Sequence, residues 1–164
     1  MTQDPLENTI SDFWRMIVEQ NVRTIVMFSE VGEENCPRYW PEKDQETPHD
    51  YIKVKYMQSQ SFPFYYKREF TVTNSKTEDS YLVTQFQYNG WPIGAGEVPE
   101  STRGLVELVD TTLKHQESIE INTGPSIVHC RCVCAQGFFW PFIHFSSLFH
   151  FAVTEPSEVV YLWL

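Results

Sequence analysis

The run "GPSIVHC", Gly124 to Cys130, brings a histidine and a cysteine to the end of a short apolar stretch. A cysteine placed there can act as a thiolate nucleophile, because the end of a buried strand is where α/β proteins usually hold ligands. Attack on phosphorus suits such a thiolate, but the sulfur alone is not enough. An arginine must grip the equatorial oxygens as a bidentate fork, backbone N–H groups must aim at the same oxygens, and an acid must protonate the leaving group. A glycine-rich loop entering a helix N-terminus would supply the amides. After Cys130 the chain instead reads Arg131, Cys132, Val133, Cys134, Ala135 and Gln136, with β-branched Val133 where an unusual backbone angle is needed. His129, Cys130, Cys132 and Cys134 also offer metal donors. Alternating Cys-x-Cys is not zinc-finger spacing and no second ligand pair follows, so neither metal nor cofactor is expected.

The elements that must position these residues are legible from periodicity. In "TISDFWRMIVEQN", Ile10, Phe13, Trp14 and Ile17 form the stripe of a helix with one buried face, and Thr9 with Asp12 resembles a capping box. The helix is expected to stop near Asn21. "TIVMF", Thr24 to Phe28, reads as a strand covered on both faces, and Ser29 to Asp50 as an irregular connection around Tyr39-Trp40. "YIKVKY", "YYKREFTVT" and "SYLVTQFQY" predict three antiparallel strands. "NGWPIGAGEVPES" is a loop anchored by Trp91. Ser101 is placed to cap a helix whose apolar side is Leu105, Leu108, Val109, Thr112 and Leu113, and "PSIVH" is the last strand.

The 164 residues suffice for one domain with a core, and a formal charge of −10 disfavours nucleic acid and anionic membranes as partners. Three of the four cysteines fall within five residues, which argues against a secreted disulfide framework. No signal-like segment opens the chain, and a cytoplasmic location is expected. From Cys132 to Thr154 there is no charged residue, and seven Phe and Trp side chains recur without period 2 or 3.6. Residues 131–164 are therefore set apart as an aromatic-rich tail. An unrelated C-terminal extension explains the abrupt change better than a membrane segment, which Gln136, Pro141, His144 and His150 oppose, or a folded ending.

Taken together, "PLENTISDFWRMIVEQNVRTIVM", "CPRYWPE", "REFTVTN", "VTQFQYNGWP", "VPES" and "GPSIVHC" resemble a protein tyrosine phosphatase domain over Pro5 to Cys130, in order and near its spacing. The resemblance is strongest to receptor-type members, and the departures are those of their second, membrane-distal and catalytically silent domain. It implies an α/β (α+β) fold, a twisted mixed sheet flanked by helices over residues 1–130. It also implies incompleteness, since the family's N-terminal helices and phosphotyrosine-recognition loop would precede Pro5 and a helical bundle would follow the nucleophile. Cys130 falls at the nucleophile position, with His129, Trp91 and Pro92 as supporting positions. Ile93 stands where active members have the acidic Asp, and Gln136 where they have the phosphate-gripping arginine. Isoleucine has no proton to give, and glutamine cannot form a charged fork. Arg131 cannot stand in from the near end of the loop, and Glu97 reads as a solvated loop glutamate. The expectation is a pseudophosphatase, acting as a regulatory or interaction module. The alternatives are an active cysteine-dependent phosphotyrosine phosphatase and a truncated product without a role. Implied partners are phosphotyrosine proteins or a companion phosphatase domain, with a membrane reached only through a parent receptor.

Overall fold

The computed structural model describes residues 2–32, 36–91, 102–119 and 123–131. Among the described residues the elements are β1 (Thr2–Gln3), a 3-10 turn (Glu7–Thr9), α1 (Ile10–Glu19), β2 (Thr24–Met27), β3 (Glu46–His49), β4 (Ile52–Ser61), β5 (Tyr65–Asn74), β6 (Ser80–Tyr88), α2 (Arg103–Ser118) and β7 (Ile127–Cys130). The described strands form one sheet in the order β1-β7-β2-β6-β5-β4-β3. Its β1, β7, β2 and β6 neighbours are parallel, whereas β6, β5, β4 and β3 pair antiparallel, so the sheet is mixed as the sequence implied.

β2 is buried along its whole length, which accounts for its unbroken apolar composition. Alternation along the strands divides the core in two. Phe13, Trp14 and Ile17 of α1 pack on one face with Ile25, Met27, Val54, Phe70 and Ile127. Leu105 and Leu108 of α2 pack on the other with Val26, Phe28, Phe86, Tyr88, Trp91 and Cys130. Gly124 fixes the approach to β7. A Cβ there would lie 1.7 Å from the Gln20 carbonyl oxygen, and the Gly124 N–H donates to the Asn21 carbonyl at 2.8 Å. Asn21 itself turns the chain out of α1 with φ of 53°.

Several expectations need correction. Thr9 does not cap α1: its hydroxyl accepts from the Leu6 N–H at 2.9 Å, and Asp12 pairs with Arg15 at 2.6 Å. The connection from Ser29 to Asp50 is not wholly irregular, since it contains β3 at the sheet edge, where Pro48 costs no ladder donor that the sheet needs. The apolar side of α2 is narrower than its sequence suggests: Leu105 and Leu108 are buried, but Leu113 is 41% exposed. Ser101 lies outside the described residues, and Thr102 at the start of α2 makes no side-chain cap.

Two histidines outside the site couple the fold to pH. His49 lies against Trp14 and His115 edge-on to Phe86, and the Nε2 of each is buried with no partner among the described residues. Burial pushes both imidazoles below their usual value of 6.5, with Lys67 adding to the effect at His115; Asp50 and Glu69 respectively oppose it. The unfolded chain therefore takes up these protons first as pH falls through 6.5, and stability held above that pH is lost below it. The melting temperature is expected to fall from pH 7.5 to 5.5, and to fall less in a His49→Gln/His115→Gln variant. Equal slopes for the two proteins would contradict the assignment.

Candidate functional site

β7 lies between β1 and β2, parallel to both, with His129 opposite Thr2 on one side and Met27 on the other. The backbone at its end is held from both neighbours: Phe28 N–H donates to the His129 carbonyl at 3.1 Å and Asp4 N–H to the Cys130 carbonyl at 3.2 Å. Successive side chains point to opposite faces of the sheet. His129 accordingly meets the α1-side aromatics Phe13 and Tyr39, with ring centroids 5.5 and 5.4 Å away, while Cys130 joins the α2-side cluster.

His129 is fully buried and closes a ring of hydrogen bonds. Its Nδ1–H donates to Asp4 Oδ1 at 2.6 Å, and its Nε2 lies 2.8 Å from Tyr39 Oη. Gln85 donates its amide N–H to Tyr39 Oη at 2.6 Å, because its own Oε1 is taken by Arg68 Nη1 at 2.9 Å. With Nδ1–H directed at Asp4, the phenol can donate onward to Nε2. Arg68 Nη1 also donates to Gln87 Oε1 at 2.7 Å, Gln87 Nε2 to the Ser29 carbonyl at 2.9 Å, and Ser29 Oγ to Asp4 Oδ2. Arg131 N–H reaches Ser29 Oγ at 2.8 Å, tying the residue after the cysteine into the same ring. Burial holds the Tyr39 phenol well above its usual range, reinforced by the Cys36 sulfur, so it remains a donor. The Arg68 guanidinium lies over Trp40 and Tyr66, 4.7 and 5.3 Å from their ring centroids, and burial lowers its pKa.

Cys130 is 4% exposed and shares its cluster with Trp91, whose ring stands edge-on to Phe28 at 5.3 Å and Tyr88 at 6.1 Å. The structure thus brings together two of the site residues expected from sequence, Cys130 and Trp91, and places a third, His129, on the opposite face of β7. Pro92, Ile93 and Gln136 lie outside the described residues, as do Glu97, Cys132 and Cys134. His129 and Cys130, on opposite faces of β7, do not converge on a common ion.

Asp4, Tyr39, Gln85, Gln87 and Arg68 were missed as functional positions. A signal existed for the glutamines: Val83 to Tyr88 is buried throughout, and two amides at i and i+2 in a strand covered on both sides must find buried partners. Cys36, in the same neighbourhood, is 1% exposed, and burial, aided by the Asp4 charge, pushes its thiol up.

A histidine–cysteine strand end held by a tyrosine of a "YWP" segment, with the tryptophan of a "WP" loop against the sulfur's cluster, agrees with the family match over residues 1–136 to the protein-tyrosine phosphatase model. The chain belongs to the protein-tyrosine phosphatase family. It is 56% identical over 135 residues to tyrosine-protein phosphatase 69D of Drosophila melanogaster, a match covering 79% of this chain and 9% of that protein. It is 37% identical over 132 residues to receptor-type tyrosine-protein phosphatase S of Gallus gallus, covering 79% of this chain and 8% of the relative. Tyrosine-protein phosphatase 2 of Dictyostelium discoideum is 40% identical over 134 residues, 79% of this chain and 33% of its own length. The chain therefore spans less than a tenth of the first two relatives and a third of the other. No described helix is long and apolar enough to cross a membrane.

Proposed function

We propose that this phosphatase-family chain is catalytically silent and serves as a regulatory or interaction module, corresponding to the second phosphatase domain of a receptor-type protein on the cytoplasmic side of a membrane. This reading places the family-like part at residues 1–130 and treats 131–164 as a separate aromatic-rich ending, while the family match itself reaches residue 136. Phosphotyrosine proteins, the family's general substrates, or a companion phosphatase domain are the partners this reading implies.

One observation carries the proposal: Trp91 and Cys130 share a single buried cluster, and the chain leaving Trp91 offers Ile93 two residues later. Isoleucine at the position where active members carry the acid has no proton for a leaving phenolate, and loss of the acid alone removes roughly 10²- to 10⁴-fold in rate. Gln136 at the arginine position removes the bidentate fork as well. The competing reading, a living phosphatase, draws on the retained His129-Cys130 pair and its intact ring of hydrogen bonds. Turnover of an aryl phosphate by the chain and by its Cys130→Ser variant separates the two.

A further inference from the structure

Asp4, Cys36 and His129 come from three distant parts of the chain, yet a carboxylate oxygen, Sγ and a ring nitrogen of these residues all lie within 4.8 Å of one another. Asp4 and Cys36 have no assigned part in phosphoryl transfer at Cys130, and the side chain of His129 points to the other face of β7 from that sulfur. We propose that these side chains form a binding site for one zinc ion, a clasp that joins the chain just after β1, the segment before Tyr39, and the end of β7. The proposal stands whether or not Cys130 reacts.

The donor set favours zinc. One thiolate, one imidazole and one carboxylate suit a borderline-soft ion with tetrahedral preference, whereas calcium and magnesium take oxygen ligands alone. Charge also balances, since a thiolate and a carboxylate neutralise a divalent ion at a site where an uncompensated charge would be costly. The groups that would orient the ligands are already in place. Metal-bound histidines ordinarily donate their other ring N–H to a fixed acceptor, and ligating carboxylates are themselves hydrogen-bonded. Here Tyr39 Oη stands 2.8 Å from His129 Nε2, and Ser29 Oγ donates to Asp4 Oδ2.

Protons balance as follows. Zinc takes the lone pair of Nδ1, and the ring proton shifts to Nε2, where Tyr39 Oη accepts it; the phenol turns its own hydrogen toward Met27 Sδ, 4.0 Å away. Gln85 goes on donating to Oη at 2.6 Å. The Cys36 thiol proton is the only one released to solvent, so each zinc bound frees one proton. Three protein ligands leave a fourth position for water or a small anion.

The full chain, stripped with chelator and titrated with zinc chloride, is expected to take up one ion and release one proton. With zinc well above its dissociation constant the melting temperature should rise by about 5–10 °C. Uptake should be lost in Cys36→Ser and in Asp4→Asn, and kept in a Cys132→Ser/Cys134→Ser variant. Cobalt(II) in place of zinc should give a sulfur-to-metal absorption band of one-thiolate intensity, which decides the matter on the unaltered chain if a variant fails to fold. Absence of that band, a three-thiolate intensity, or zinc uptake that survives Cys36→Ser would overturn the site.

Discussion

Trp14→Ala is expected to lower the free energy of unfolding by about 3–5 kcal/mol, close to the whole net stability of a small domain. Trp14 is fully buried and stands against Phe13, Tyr39 and Phe70 with centroids 6.0 to 6.3 Å apart, so its removal leaves a cavity where α1 meets the sheet. Its indole N–H also donates to the Tyr39 carbonyl at 2.7 Å. That bond holds the backbone from which Tyr39 reaches His129, so a packing residue on α1 positions the site on β7. Trp14→Phe retains an aromatic ring there but orphans the carbonyl, and should cost less, about 1–3 kcal/mol. Urea titrations read both values from the midpoints at unchanged slope. A loss below about 1 kcal/mol for Trp14→Ala would show that α1 does not anchor this face.

The second large effect is expected at His129. His129→Ala, measured in chelator, should destabilise the chain by about 3–5 kcal/mol, because it opens a cavity and takes one buried partner each from the Asp4 carboxylate, left with Ser29 Oγ, and the Tyr39 phenol, left with Gln85. The His129 side chain is 0% exposed and that of Asp4 only 6%, so water does not readily replace the lost partner. In a double-mutant cycle with Asp4→Asn, the two changes should be non-additive by about 0.5–3 kcal/mol, the range found for residues sharing one network. Strict additivity would mean that the 2.6 Å contact between Nδ1 and Oδ1 carries no coupling energy.

Periodicity was a good guide to α1, β2, the antiparallel β4, β5 and β6, and the strand that ends at Cys130, because each buries a regular pattern of its own side chains. It was a poor guide to β1 and β3. β1 is two residues long and is a strand only because Thr2 and Gln3 pair with His129 and Cys130, a contact that no local window contains. β3 is an edge strand with a proline and an exposed glutamate, and its identity comes from β4. The site shows the same division. The His129-Cys130 motif and Trp91 are local and could be read, whereas the hydrogen-bond ring unites Asp4 with His129 across 125 positions and Tyr39 with Gln85 across 46. In the sequence Asp4 simply precedes a proline and Cys36 stands apart from the other three cysteines, with no local sign of what they meet. Only folding gives them their neighbours.

On the proposed reading the chain places a sulfur at the end of β7 without completing phosphoryl transfer from it. The most direct measurement is hydrolysis of p-nitrophenyl phosphate by the purified full chain, with the initial burst and the steady rate both recorded beside Cys130→Ser. No burst is expected, and a steady rate that matches the variant. A burst of phenolate approaching one equivalent per chain, or turnover abolished by Cys130→Ser, would contradict it.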